Sequence, residues 1–137
     1  PALRVDDQLV LRVTFGQVSL LLTGDVGQPV EETMAFDRSP RLRLVTAPHH
    51  GSRTSSSAAL VRGLLPHAVF VSAGRGNTFG HPAPDVLQRY RDAGVEVFRT
   101  DVDGAIVIDS DGRGVSVRTM AGRTWQLSAA TLGGAGE

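Results

Sequence analysis

Leu42–Ser57 reads LRLVTAPHHGSRTSSS. Its first five residues have the apolar, β-branched character of a strand, a proline follows, and two adjacent histidines stand where that strand ends, ahead of a glycine and a run of hydroxyls. Strand side chains point alternately to opposite faces, so His49 and His50 cannot both aim at one point unless the backbone turns between them. One of the pair is then a ligand or base and the other supports it, while Gly51 lets the chain turn sharply. Loops at the carboxyl ends of strands are where α/β sheets gather their chemistry, so this stretch bears on both the fold and the site.

Strands and helices can be read outward from it. Gln8–Phe15 and Val18–Leu22 form a hairpin across the two-residue turn Gly16-Gln17, with glycine first, and the second strand stops at Thr23-Gly24-Asp25. A weak helical stretch covers Val30–Phe36. Ser55 or Ser56 is placed to cap a helix through Ala58, Leu60, Val61 and Leu64, which Pro66 ends. Ala68–Ser72 is a short buried strand, and Gly74, Gly76 and Gly80 break regular pairing after it. Pro82 and Pro84 open a helix with Val86, Leu87 and Tyr90 on one face, closed by Gly94. Short strands follow at Val95–Phe98, Ala105–Ile108, Gly114–Arg118 and Thr124–Leu127, with turns at Asp103-Gly104 and Asp111-Gly112. The alternation predicts an α/β layered sheet with helices on at least one face. One domain is expected over residues 1–128, with a flexible tail over 129–137.

The bulk composition agrees with one modest core. The chain has 137 residues, 41% hydrophobic and 20% charged, with a formal net charge of zero and arginine as its only cationic side chain apart from histidine. That balance excludes a non-specific nucleic-acid binder that works through overall charge, so any contact with a polyanion must be local. Zero cysteines exclude disulfides and thiolate metal sites, leaving His, Asp and Glu as ligands. No run approaches the 18 or more apolar residues of a membrane span, and the chain as given reads as soluble.

Three strand-end loops each carry a side chain able to bind a metal: Asp25, the His49-His50 pair, and His81 in NTFGHP. Imidazole and carboxylate suit zinc or manganese, and a catalytic zinc needs three protein ligands with one position open. Each also has a structural reading, Asp25 as turn chemistry and His81 as part of a helix entry. Ser52 as a nucleophile beside His50 lacks the Gly-x-Ser-x-Gly elbow, and the hydroxyls of Thr54–Ser57 suit helix capping better than attack. His67, at a helix-to-strand junction, reads as a surface residue.

In order, LLTGD, HHGS followed by serines, GNTFGHP and RTDVDGAI resemble the metallo-β-lactamase-like domain of ComEC-type DNA-internalisation competence proteins, across roughly Gln8–Ile108. The resemblance implies an αββα sandwich and a metal-dependent phosphodiesterase that degrades the DNA strand that is not imported. It implies Asp25, His50 and His81 as metal ligands, with His49 the alternate of His50, and these four as the catalytic set. Arg53, Ser52 and Asn77 are implied on the substrate side; Arg41 and Arg43 are further candidates for drawing in phosphate, or else solvated surface. In such chemistry metal lowers the pKa of bound water and neutralises charge on phosphate oxygens.

The family's H-x-H-x-D-H motif is absent, since none of the four histidines has that spacing. The sequence therefore resembles only the second, carboxyl-terminal half of the sandwich, a mixed sheet with flanking helices. Two zinc or manganese ions are expected in the complete fold, and weak or no metal binding in this chain alone. An exposed apolar sheet face is expected, covered by the missing half or by self-association. Single-stranded DNA is the implied partner of a parent protein at the cell membrane. A different class of function stands beside this one, a non-catalytic binding or assembly module that retains half of the fold, and hydrolysis of another ester is also compatible.

Overall fold

The structure is a computed structural model and describes residues 2–5, 8–24, 27–32, 36, 38–53, 55–74 and 81–132, without the side chains of 2–5, 8, 9, 28, 30 and 49. Its larger sheet begins with an antiparallel meander of β1 (Ala2–Val5), β2 (Gln8–Phe15) and β3 (Val18–Leu22). The β2–β3 hairpin closes where the sequence predicts, with Gly16 at φ 59° and Phe15 paired to Val18. From β3 onward the sheet is parallel, through β4 (Leu42–Thr46), β5 (Ala68–Val71) and β6 (Glu96–Arg99), so six strands lie side by side in chain order. Strands buried on both faces need no polar side, and all four residues of β5 are buried. β1 was not legible in the sequence.

Helices cover one face of this sheet. The predicted stretch at Val30–Phe36 is instead α1 (Gln28–Glu31), one turn long, and residues 33–35 lie outside the described ones. α2 (Ala58–Leu64) is capped by Ser57, whose Oγ accepts from Leu60 N at 3.3 Å, not by Ser55 or Ser56. α3 (Pro84–Asp92) starts at Pro84 and buries Val86, Leu87 and Tyr90. These residues join Val61 and Leu64 of α2 and Val45, Val69, Val71 and Val97 of the sheet in one core.

The other face of the sheet packs on a second sheet. α4 (Thr100–Asp103) leads into an antiparallel meander of β7 (Ile106–Ser110), β8 (Gly114–Thr119) and β9 (Thr124–Ser128). Leu42, Leu44, Ala68, Phe70 and Phe98 meet Val115 and Val117 there, with Ile106, Ile108, Trp125 and Leu127 partly buried against them. Phe98 anchors the contact, stacked on Phe70 at 5.4 Å between centroids and edge-on to Trp125 at 6.0 Å. The fold is thus α/β in three layers, helices on a mixed sheet on an antiparallel sheet. The apolar face expected to lie open is largely covered from within the chain. Among the described side chains, Val13 and Phe15 are the only exposed large hydrophobics of the six-stranded sheet, and the outer face of the three-stranded sheet carries polar side chains such as Asp109, Arg118 and Gln126.

Short-range chemistry joins the two sheets at both ends. At one end Gln17 N donates to Gly112 O at 2.7 Å, and a Cβ on Gly16 would overlap that carbonyl, so the two hairpin turns touch backbone to backbone. At the other, the RTDVDG segment is an internal brace. The Arg99 guanidinium donates twice to the Asp101 carboxylate (3.0 and 2.7 Å), and buried Asp103 accepts from Arg99 N at 2.8 Å. The Arg99 guanidinium holds the Asp101 carboxyl below its usual range. Ala129–Leu132, read from the sequence as the start of a loose tail, is a 3-10 turn with Ala129 buried, and residues 133–137 lie outside the described ones.

Candidate functional site

The carboxyl ends of β3, β4 and β5 share one rim of the sheet. Thr23, fully buried just past β3, bonds across to the last residue of β4: its amide donates to Thr46 Oγ1 at 3.0 Å and its hydroxyl to Thr46 O at 2.7 Å. Gly24 follows with φ 59°, but Asp25 lies outside the described residues. Beyond Thr46 the chain enters a 3-10 turn, Pro48–Gly51, that contains both histidines. Only the backbone of His49 is described.

The turn between the histidines is sharp, as the sequence requires. His50 has φ 55° and Gly51 φ 81°, two consecutive residues in the left-handed region. For a residue with a Cβ that conformation costs about 1–2 kcal/mol, and such outliers cluster where geometry serves function. His50 Nδ1 lies 2.9 Å from Ser72 O, at the end of β5. A carbonyl can only accept, so Nδ1 carries the proton and the lone pair of the neutral ring sits on Nε2.

The segment that follows His81 meets the histidine turn through the backbone. Gly51 O accepts from Ala83 N at 2.9 Å, and a Cβ on Gly51 would stand 2.7 Å from Pro82 Cβ and 3.0 Å from Pro82 Cα. The glycine is therefore required twice, for its φ and for the close approach of the His81-Pro82 peptide, which is cis. Segments 49–51 and 81–83 touch although thirty residues separate them. Beside His50 is a cleft of about 350 Å3 between the strand ends and the second sheet, with Phe70, Ile106 and Ile108 on its apolar side and Thr46 and Thr100 among its polar lining. Thr100 belongs to the RTDVDGAI motif but is not one of the expected site residues; its hydroxyl accepts from Ala73 N (2.8 Å) and donates to Ala73 O (3.0 Å), tying the end of β5 to α4. A larger depression of about 840 Å3 over Asp109, Arg113 and Gln126 involves none of the expected site residues.

The other candidates are distributed unevenly. Ser52 is buried, and its carbonyl accepts from Ser55 N at 3.0 Å in the turn that follows. Arg53 is exposed and donates through Nε to Asp85 Oδ1 at 3.3 Å. Asn77 lies outside the described residues, as does Gly80. Arg43 is corrected: its Nε donates to Leu64 O at 2.9 Å and its Nη1 to Pro40 O at 2.8 Å, so it is a backbone brace, not a phosphate collector. His67 is corrected too. Its Nδ1 accepts from Arg43 N at 3.0 Å, stitching the starts of β4 and β5, and burial followed by the charge of Arg43 pushes its pKa below the usual value.

The hydroxyl run is held by a residue with no recognisable motif. Glu31 is fully buried, and its carboxylate accepts from Ser56 N at 2.7 Å and Ser57 N at 2.6 Å. No group of three or more His, Asp or Glu side chains able to hold a metal occurs among the described residues. The described side chains thus do not by themselves fit a zinc or manganese ion. No helix among the described residues is long and apolar enough to cross a membrane.

No family model matches the chain. It is 34% identical over 113 residues to a Neisseria gonorrhoeae protein named competence protein ComA, covering 81% of this chain and 16% of that one. It is 34% identical over 107 residues to ComE operon protein 3 of Bacillus subtilis, covering 77% and 14%. Recombination protein 2 of Haemophilus influenzae is 31% identical over 100 residues, covering 73% and 13%. These relatives agree with the competence resemblance of the motifs, and the chain spans about one-sixth of their length or less.

Proposed function

We propose that this chain acts in DNA uptake, as part of a metallo-β-lactamase-like domain that cleaves phosphodiester bonds in the strand that is not imported. The observation that carries the reading is the contact of the His49-His50-Gly51 turn with the His81-Pro82 segment at the carboxyl rim of the sheet. A relative named competence protein ComA and another named ComE operon protein 3, each about a third identical over more than three-quarters of the chain, support the setting. In this proposal His50, its Nδ1 proton held by Ser72 O, presents Nε2 toward the phosphate, and His81 approaches from the adjoining segment. An imidazolium at either position would donate to a phosphoryl oxygen and steady the charge that gathers there. Arg53, exposed three residues after His50 and paired with Asp85, would orient the strand.

Zinc or manganese belongs to the proposal only with donors beyond the described side chains, Asp25 and His49 among them, because the described ones do not make a three-ligand set. A second reading, a non-catalytic binding or assembly module that retains half of the fold, stands beside the nuclease because the sequence lacks the H-x-H-x-D-H ligand motif. Hydrolysis of single-stranded DNA and of bis-p-nitrophenyl phosphate, with zinc or manganese added, separates the two. Cleavage lost in both His50→Ala and Asp25→Ala supports the nuclease; no cleavage and no metal uptake supports the binding module.

A further inference from the structure

The residues after His50 and the helix after His81 are joined by four hydrogen bonds at three levels. Gly51 O accepts from Ala83 N, and Arg53 Nε donates to Asp85. Farther along, Arg89 Nη1 donates to Ser56 O at 2.6 Å and Tyr90 OH donates to Ser56 Oγ at 2.7 Å. The partners advance together, 51 with 83, 53 with 85, 56 with 89 and 90, so residues 51, 53 and 56 meet α3 from its N-terminal cap to its last turn. Ser56 is the far anchor. It sits at φ 55°, outside the ordinary range for a serine, with its amide held by Glu31, its carbonyl by Arg89 and its hydroxyl by Tyr90. Nothing about helix capping requires this, since Ser57 is the cap.

We infer that Tyr90 and Arg89 of α3, together with buried Glu31, are positioning residues that set the placement of His50 relative to His81 by anchoring Ser56. The inference rests on the two histidines being the working groups of the site. A three-way hold on one strained residue is what a geometry tolerant of only small errors demands, because a shift at either end of the joined segments displaces one imidazole against the other. Tyr90 is suited to this: it is fully buried on the helix, and its hydroxyl donates to Ser56 Oγ.

The test compares Tyr90→Phe with the unchanged protein by NMR of the imidazole rings, without DNA or metal, with circular dichroism to follow the fold. The ring signals of His50 and His81 are expected to shift, while that of His67, held by Arg43 at the opposite end of β4, stays in place. Ser56→Ala removes the partner hydroxyl and is expected to shift the same two signals, with the double variant shifting them no further. Should Tyr90→Phe fail to fold, Ser56→Ala carries the comparison alone. Unmoved His50 and His81 signals in a folded variant, or an equal movement of His67, overturn the inference. Since no substrate is present, unmoved rings leave the nuclease reading standing, and a failed cleavage assay leaves the positioning result standing.

Discussion

Replacing Gly51 with alanine tests the contact on which the site depends. Two costs add. A non-glycine residue at φ 81° carries about 1–2 kcal/mol of backbone strain. The new methyl would stand 2.7 Å from Pro82 Cβ, where carbon atoms prefer about 3.5–4.0 Å, so the two segments must part by roughly 1 Å. Overpacking of this kind costs about 1–3 kcal/mol. The reduced freedom of the unfolded chain returns about 0.4–1 kcal/mol. The net expectation is a loss of about 2–4 kcal/mol, read by urea denaturation as a lower midpoint at unchanged slope. Gly94→Ala is the control, because Gly94 has φ 78° but open space around its would-be Cβ. It pays the strain alone, about 1 kcal/mol after the same correction. The difference between the two variants isolates the approach of Pro82. Equal losses for Gly51→Ala and Gly94→Ala would falsify the reasoning, since they would mean that the histidine turn does not press on the His81 segment.

Further outcomes are expected elsewhere in the fold. Glu31→Ala leaves the Ser56 and Ser57 amides buried without an acceptor and should cost about 2–6 kcal/mol in denaturant unfolding. His67 is held below its ordinary pKa of about 6.5, so the folded state favours the neutral ring. The stability it contributes is present above that ordinary value and is lost as pH falls toward the folded one; thermal melts of the protein against His67→Gln between pH 7.5 and 5 should show a shallower decline in the variant. Arg123 lies 4.0 Å over the Phe98 ring, donates to Val97 O at 2.7 Å and pairs with Glu96, covering the open edge of β6. Arg123→Ala should cost about 2 kcal/mol, whereas Arg53→Ala, which breaks an exposed pair, should leave the melting temperature nearly unchanged.

The features readable from the sequence are those governed by neighbours along the chain. The Gly16-Gln17 hairpin, the proline-led start of α3 and the apolar runs of β4 and β5 follow from backbone preference and short-range patterning, and all form close to where they were read. The adjacency of His49 and His50 required a turn, and the left-handed His50 and Gly51 supply it. Placement against distant partners was not readable. Glu31 looked like one more polar residue until Ser56 and Ser57, 25 and 26 positions away, occupied its carboxylate. Arg43 and His67 looked solvent-facing until they found partners 21 to 24 positions away.

Division of the strands between two sheets was equally hidden, because an apolar alternation has the same form whichever sheet receives it. The sequence alone thus determined most of the strands, the two longer helices and the β2–β3 hairpin, because those depend on local conformational preference and residue type. Only the tertiary structure decided that segment 49–51 meets segment 81–83, that Glu31 is buried and that β7, β8 and β9 close over the larger sheet. Such contacts arise from packing between residues far apart along the chain, for which local pattern carries no address.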